Sequence, residues 1–196
     1  MSLYTPPSFA GGDRAAALRL IADRPFATLV TGVDGEEPHI THLPLLHDGE
    51  QLSGHMARAN PHWRCFERGQ TVAIFHGPHA YVSPRWYETP AGHVPTWNYA
   101  VVHVAGRPVL LEAEDARRTI GELSARFDPD FTAGARRLDQ LLPSIVAFRM
   151  PIARLDAKFK MNQNRSSADR DGVIAALAAS AVESDREVAD WMRHHD

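Results

Sequence analysis

Cysteine occurs once in the 196 residues, as Cys65, so no disulfide can close within the chain. No apolar run comes near the roughly 20 residues that a membrane helix needs, and no bilayer-spanning segment is expected. The opening MSLYTPPSFAGGDRAA has neither the basic start nor the apolar core of a secretory leader, which makes the cytoplasm the expected setting. Lysine is almost missing: Lys158 and Lys160 stand against nineteen arginines, an imbalance that reads as genomic codon bias. The formal net charge of -3 argues against a dominant DNA footprint, because non-specific DNA binding is mostly neutralisation of phosphates by Lys and Arg. No recognition-helix pattern stands out either. The chain has no G-x-G-x-x-G joining a strand to a helix, no G-x-S-x-G and no H-E-x-x-H. His39, His42 and His47 lie close in sequence, as do His76 and His79, but an i, i+3 pair on a strand points to opposite faces. No metal site is expected from them.

What is present reads as one domain, 1–196, with a helical tail over 166–196. Asp13 can cap a helix that runs to about Arg24, where Pro25 stops it. FATLVTG, HITHLPLL, QLSGHM and TVAIFHG then read as strands of an antiparallel meander, with Asp34-Gly35 and Asp48-Gly49 as tight turns. TWNYAVVHVAGRPVLL alternates with period two, putting Trp97, Tyr99, Val101 and His103 on one face and Asn98, Ala100, Val102 and Val104 on the other. EDARRTIGELSARF has helical spacing and SIVAFRMPI returns to strand character. Ser166 with Asp169 and Ser184 with Glu187 have the spacing of capping boxes, so two helices close the chain. The class is mainly β with peripheral helices (α+β), and a small barrel hides the strand edges best.

Two segments suit an anion. In SGHMARANPHWR a strand ends at Met56, Asn60 is a good N-cap and Pro61 fits the first helical position. Arg58 adds a forked cation beside that helix start, and together they make a candidate phosphate seat. KFKMNQNR carries both lysines, Lys158 and Lys160, with Asn162, Gln163, Asn164 and Arg165. Amides set between cations suit a ligand that has both charge and hydrogen-bonding edges. A third segment, Gly77 to His103, holds two tryptophans, three tyrosines and three histidines. Its rings serve either the core and a subunit interface or a bound planar group.

The motifs MSLYTPPSF, THLPLL, GHMARANPHW, GPHAYVSPRWY, VPTWNYAVVH and KFKMNQNRSSADRDGVIAAL occur in this order along nearly the whole chain. Together they resemble the PaiB-like family, the FMN-binding negative transcriptional regulators. The resemblance implies an FMN-binding split β-barrel related to pyridoxamine-phosphate oxidases, FMN as cofactor, and a homodimer with flavin sites at the interface. It places the phosphate at Arg58 and Asn60 and the flavin edge along Thr41, His42, Leu43, Pro44 and Leu45. Trp97, Asn98 and Tyr99 would wall the pocket across the dimer seam, with Lys160, Gln163, Asn164 and Arg165 supplying charge and amides. One departure stands out. The family pattern K-x-S-Q-N-R meets Met161-Asn162 before Gln163 here, which replaces a hydroxyl by an amide.

Three functions stay open on these residues. One is a flavin-binding regulator, with DNA as a partner implied by the family name only and its effect on transcription indirect. The second is an FMN-dependent oxidoreductase of reductase or oxidase type. The third is haem binding or breakdown on the same barrel, with His42, His79 or His103 as axial ligand.

Overall fold

The computed structural model of the protein describes residues 3–9, 13–130 and 139–194. Helix α1 (Arg14–Asp23) begins one residue after Asp13 and buries Ala16, Ala17, Leu20 and Ile21 along one stripe. It stops short of Pro25, which has no N–H to continue the ladder. Strands β1 (Phe26–Gly32), β2 (His39–Pro44), β3 (Leu46–His47) and β4 (Gln51–Ala57) follow, then a 3-10 turn over Pro61–Cys65 and the long β5 (Gln70–Val82). Next come β6 (Thr96–Gly106), β7 (Val109–Leu110), α2 (Ala113–Phe127), β8 (Ile145–Pro151) and β9 (Arg154–Lys160). Helices α3 (Ser167–Ala178) and α4 (Glu183–His194) complete the described chain.

The chain divides into two compact units. One comprises Ala16–Phe75 and His103–Leu155, the other the N-terminal residues up to Ala15, His76–Val102 and the chain from Asp156 onward.

In the first unit β2, β1 and β5 pair in that order, antiparallel, with Thr28 opposite both His42 and Ile74. A separate sheet has the order β3-β4-β8-β7. The expected meander is therefore interrupted: β4 pairs with β8 across a long sequence separation, and β5 returns to β1. The break lies at Pro44, which ends β2 because it lacks a ladder donor. Leu45 N–H then bonds Pro25 O at 2.8 Å and turns the chain into the second sheet. The Asp48 turn forms as expected, its Oδ1 accepting from the amides of Glu50 and Gln51. Leu29, Leu45, Leu52, Phe66, Phe148 and Met150 are fully buried in this unit, and the Phe66 and Phe148 rings meet edge to face at 5.1 Å.

In the second unit the strand order is β5-β6-β9, and α3 packs on α4. Asn98, Ala100, Val102 and Val104 of β6 are buried on one face, while on the other Trp97 is exposed, Tyr99 and His103 are half-buried and Val101 is buried. Val173 and Leu177 of α3 and Val188, Ala189 and Met192 of α4 form the helical core. Ser166 caps α3, its Oγ accepting from the Asp169 amide at 3.2 Å. Ser184 does not cap α4, which starts one residue earlier. Its hydroxyl donates to His79 O at 2.6 Å instead and so ties the helix to β5.

A Cβ on Gly172 of α3 would run into the Trp86 carbonyl oxygen, whereas a Cβ on Gly121 of α2 would meet open space. Alanine is the better helix former by up to about 1 kcal/mol, so Gly121→Ala should stabilise by that amount. Gly172→Ala should destabilise by about 1–3 kcal/mol in spite of the same propensity gain. Urea unfolding of the two variants beside wild type checks the opposite signs.

Candidate functional site

Two predicted residues of the first unit, Thr41 and Asn60, meet a buried histidine. Thr41 of β2 accepts from Asn60 Nδ2 at 2.9 Å and meets His62 Nδ1 at 2.8 Å. His62 Nε2 reaches Thr31 Oγ1 at 2.8 Å, and Thr31 meets Thr71 at 2.8 Å. One imidazole thus links β2, β1 and β5. Burial, with the nearby His39 as a smaller cause, pushes the His62 pKa down to about 4, so the ring is neutral at pH 7, with one nitrogen donating and the other accepting. Sequence reasoning missed His62, whose role appears only when three strands come together.

Asn60 is the predicted cap: its Oδ1 accepts from the His62 amide at 3.0 Å. The element it caps is a five-residue 3-10 turn rather than an α-helix. So short a run has little macrodipole, and one of its amides is already taken by Asn60. Arg58 is exposed and held by main chain, with Nε donating to Pro143 O and Nη2 to Ile145 O, both at 2.8 Å. Among the described residues no carboxylate pairs with it. A guanidinium has five N–H donors, so the ones not given to these two carbonyls remain for an anion, in a fixed orientation.

The other three residues of the group lie on β2, the outer strand of its sheet. An edge strand turns one row of main-chain N–H and C=O groups away from the ladder. His42 is exposed and its Nδ1 meets Thr28 Oγ1 at 3.1 Å, Leu43 is buried, and Pro44 is half-buried. Their donor and acceptor set fits FMN: a free cation for the phosphate and main-chain edge groups for the polar rim of the flavin ring.

The predicted residues of the second unit form a cluster of positive charge. Lys160 Nζ donates to Thr96 Oγ1 and to Trp97 O, and lies 5.9 Å from the Phe9 ring centre. Lys158, the other lysine of this segment, is 8% exposed. It donates to Tyr4 O at 3.0 Å between the rings of Tyr4 and Tyr99. Arg165 stacks over Tyr87 and meets His93 Nδ1 at 3.0 Å. No carboxylate among the described residues pairs with any of the three. Burial first, then the charges of Lys158 and Arg165, holds Lys160 below the usual lysine range.

The Gln163 side chain is spent on its own turn. Gln163 Oε1 accepts from Met161 N at 2.7 Å, and its Nε2 donates to Phe159 O. Asn164 is exposed. Asn98 is fully buried, its Nδ2 against Met192 Sδ at 3.4 Å and its Oδ1 without a partner. It faces the interior of the unit, while exposed Tyr81 meets exposed Trp97 and half-buried Trp86 edge to face. The candidate axial histidines lie on β2 (His42), β5 (His79) and β6 (His103).

A family model described as "Putative FMN-binding domain" matches residues 3–154. The chain is 30% identical over 202 residues to "Protease synthase and sporulation protein PAI 2" of Bacillus subtilis, covering 97% of this chain and 96% of that protein. Among solved structures, the FAD and heme binding protein from Mycobacterium smegmatis superposes with a TM-score of 0.65 at 19% identity, over 84% of this chain and 78% of that one. The flavocytochrome Anf3 from Azotobacter vinelandii gives 0.58 at 15% identity, over 73% and 65%. These likenesses show the fold, a split β-barrel with peripheral helices.

Because the chain has only two lysines, Lys160 can be followed directly by NMR titration of lysine-labelled protein. Its midpoint should lie below 10.5 and rise in Arg165→Gln, which removes one of the repelling charges, but not in Arg165→Lys. A midpoint unmoved by Arg165→Gln would mean that the two cations are not coupled.

Proposed function

Since this chain belongs to the family of the "Putative FMN-binding domain" and FMN is its cofactor, we propose that it is a PaiB-like regulator that works in the cytoplasm as a flavin-bearing homodimer. The observation that carries this reading is the end-to-end match to a protein named for protease synthesis and sporulation. Its effect on transcription is indirect, in keeping with a net charge of -3 and the lack of a recognition-helix pattern. No helix among the described residues is long and apolar enough to cross a membrane.

Arg58 holds the FMN phosphate, and the β2 edge from Thr41 to Pro44 meets the polar rim of the ring. Support comes from the Asn60 to Thr41 hydrogen bond, which ties the turn carrying Arg58 to that edge strand. When bound, FMN supplies reversible uptake of electrons. The chain's part is to orient the ring, keep water from it and hold the phosphate.

The dimer is supported by the outer face of β1 and β2. Phe26 is 66% exposed opposite Pro44, and Ile40 is 59% exposed opposite Val30. A two-fold partner would cover this apolar face twice with one contact. Trp97 and Tyr99 of a second copy then reach the flavin, and Lys160 and Arg165 lend it positive charge as its ring takes up electrons. Sedimentation of the FMN-loaded protein should give a dimer, and a strict monomer that still binds FMN would remove this cross-copy role.

Arg58→Ala should weaken FMN binding by about one to two orders of magnitude, the worth of a hydrogen bond to a charged group. Riboflavin, which has no phosphate, should lose far less. Quenching of flavin fluorescence measures both, and equal losses for the two ligands would move the phosphate to Lys160 and Arg165.

A further inference from the structure

A second constellation lies in the first unit, apart from the residues assigned to FMN. Glu36 in the turn after β1, His39 at the start of β2 and Cys65 at the end of the 3-10 turn bring one donor atom each to within 4.8 Å of one another. Cys65 is 2% exposed, His39 half-buried and Glu36 exposed. His39 Nε2 is 3.5 Å from Glu36 Oε2.

A cation already lies against this group. Arg68 donates to Glu36 Oε1 at 2.7 Å and Oε2 at 3.3 Å, and its Nη2 lies 3.6 Å from Cys65 Sγ. Arg68, ahead of His39, holds the Glu36 carboxyl below the usual carboxylate range. The guanidinium therefore touches two of the three donors.

We propose that Glu36, His39 and Cys65 form a zinc site, in which Arg68 is the resident cation that the metal displaces. The donor set selects the metal. One thiolate, one imidazole and one carboxylate suit zinc or cobalt, whereas magnesium and calcium take oxygen donors. Three protein ligands leave a fourth position for water. Tetrahedral bonds of about 2.0–2.3 Å put ligand atoms roughly 3.3–3.8 Å apart. The His39 to Glu36 spacing of 3.5 Å meets that already, and the remaining donor spacings lie within 4.8 Å, so a modest side-chain adjustment, with Arg68 released from Glu36, completes the site. On binding, the Cys65 thiol gives up its proton to solvent and the Arg68 guanidinium swings into water.

The test titrates Co2+ alone, then Zn2+ alone, into chelator-treated full-length protein without FMN in phosphate-free buffer. The expected result is one Co2+ per chain with a thiolate-to-cobalt charge-transfer band, bleached by added Zn2+. Cys65→Ser should abolish the band and weaken zinc by at least about tenfold. Glu36→Gln, at an exposed position, should weaken binding while keeping the band, which guards against a misfolded Cys65 variant. Arg68→Gln should tighten zinc several-fold, since it removes the competing cation, and a merely structural ion pair would give no such gain. Absence of the band in both wild type and Arg68→Gln would overturn the site, as would zinc binding unchanged by Cys65→Ser.

Discussion

The neutral imidazole of His62 is the joint on which the first unit depends. It touches Thr41 of β2 and Thr31 of β1, and Thr31 in turn touches Thr71 of β5, so one ring sets the spacing of three strands. The ring is 1% exposed and stays uncharged at neutral pH, because burial penalises the imidazolium. Leaving a buried hydroxyl without its partner costs roughly 1–3 kcal/mol, so the chain has strong reason to keep this histidine in place. Its hold on Thr41, shared with Asn60, carries outward to the turn where Arg58 sits.

Among the described residues, cations occur in two settings with different consequences. Arg68, Arg118 and Arg193 answer nearby carboxylates at the surface, and such pairs are worth little on their own. Arg58, Lys158, Lys160 and Arg165 are instead fixed by carbonyls, hydroxyls, rings and one imidazole, none of which neutralises them. An unneutralised, partly desolvated cation is costly in the free protein and favourable with an anion in place. The same cost holds Lys160 below the usual lysine range.

Local pattern was enough to read most elements, since period-two alternation in β6 and the Ser166 cap of α3 depend on neighbours a few residues away. Pairing was another matter. The carbonyls that hold Arg58 come from Pro143 and Ile145, and β4 meets β8 across a similar distance in sequence. No periodicity encodes such closures, because they follow from which buried faces fit once the sheets pack. For the same reason the histidines, read pairwise along strands, hid the approach of His39 to Glu36 and Cys65, whose donors converge from three separate elements.

The departure from the family's K-x-S-Q-N-R pattern also changes meaning in three dimensions. Asn162 has φ of 61°, the left-handed region, which asparagine adopts more readily than most residues with a side chain. It is 3% exposed, and its Nδ2 donates to the Tyr87 hydroxyl at 3.3 Å. Its carbonyl accepts from the Arg165 amide at 2.9 Å, which closes the turn. The amide that replaces a hydroxyl is therefore turned inward. It secures the backbone from which Arg165 projects over the Tyr87 ring.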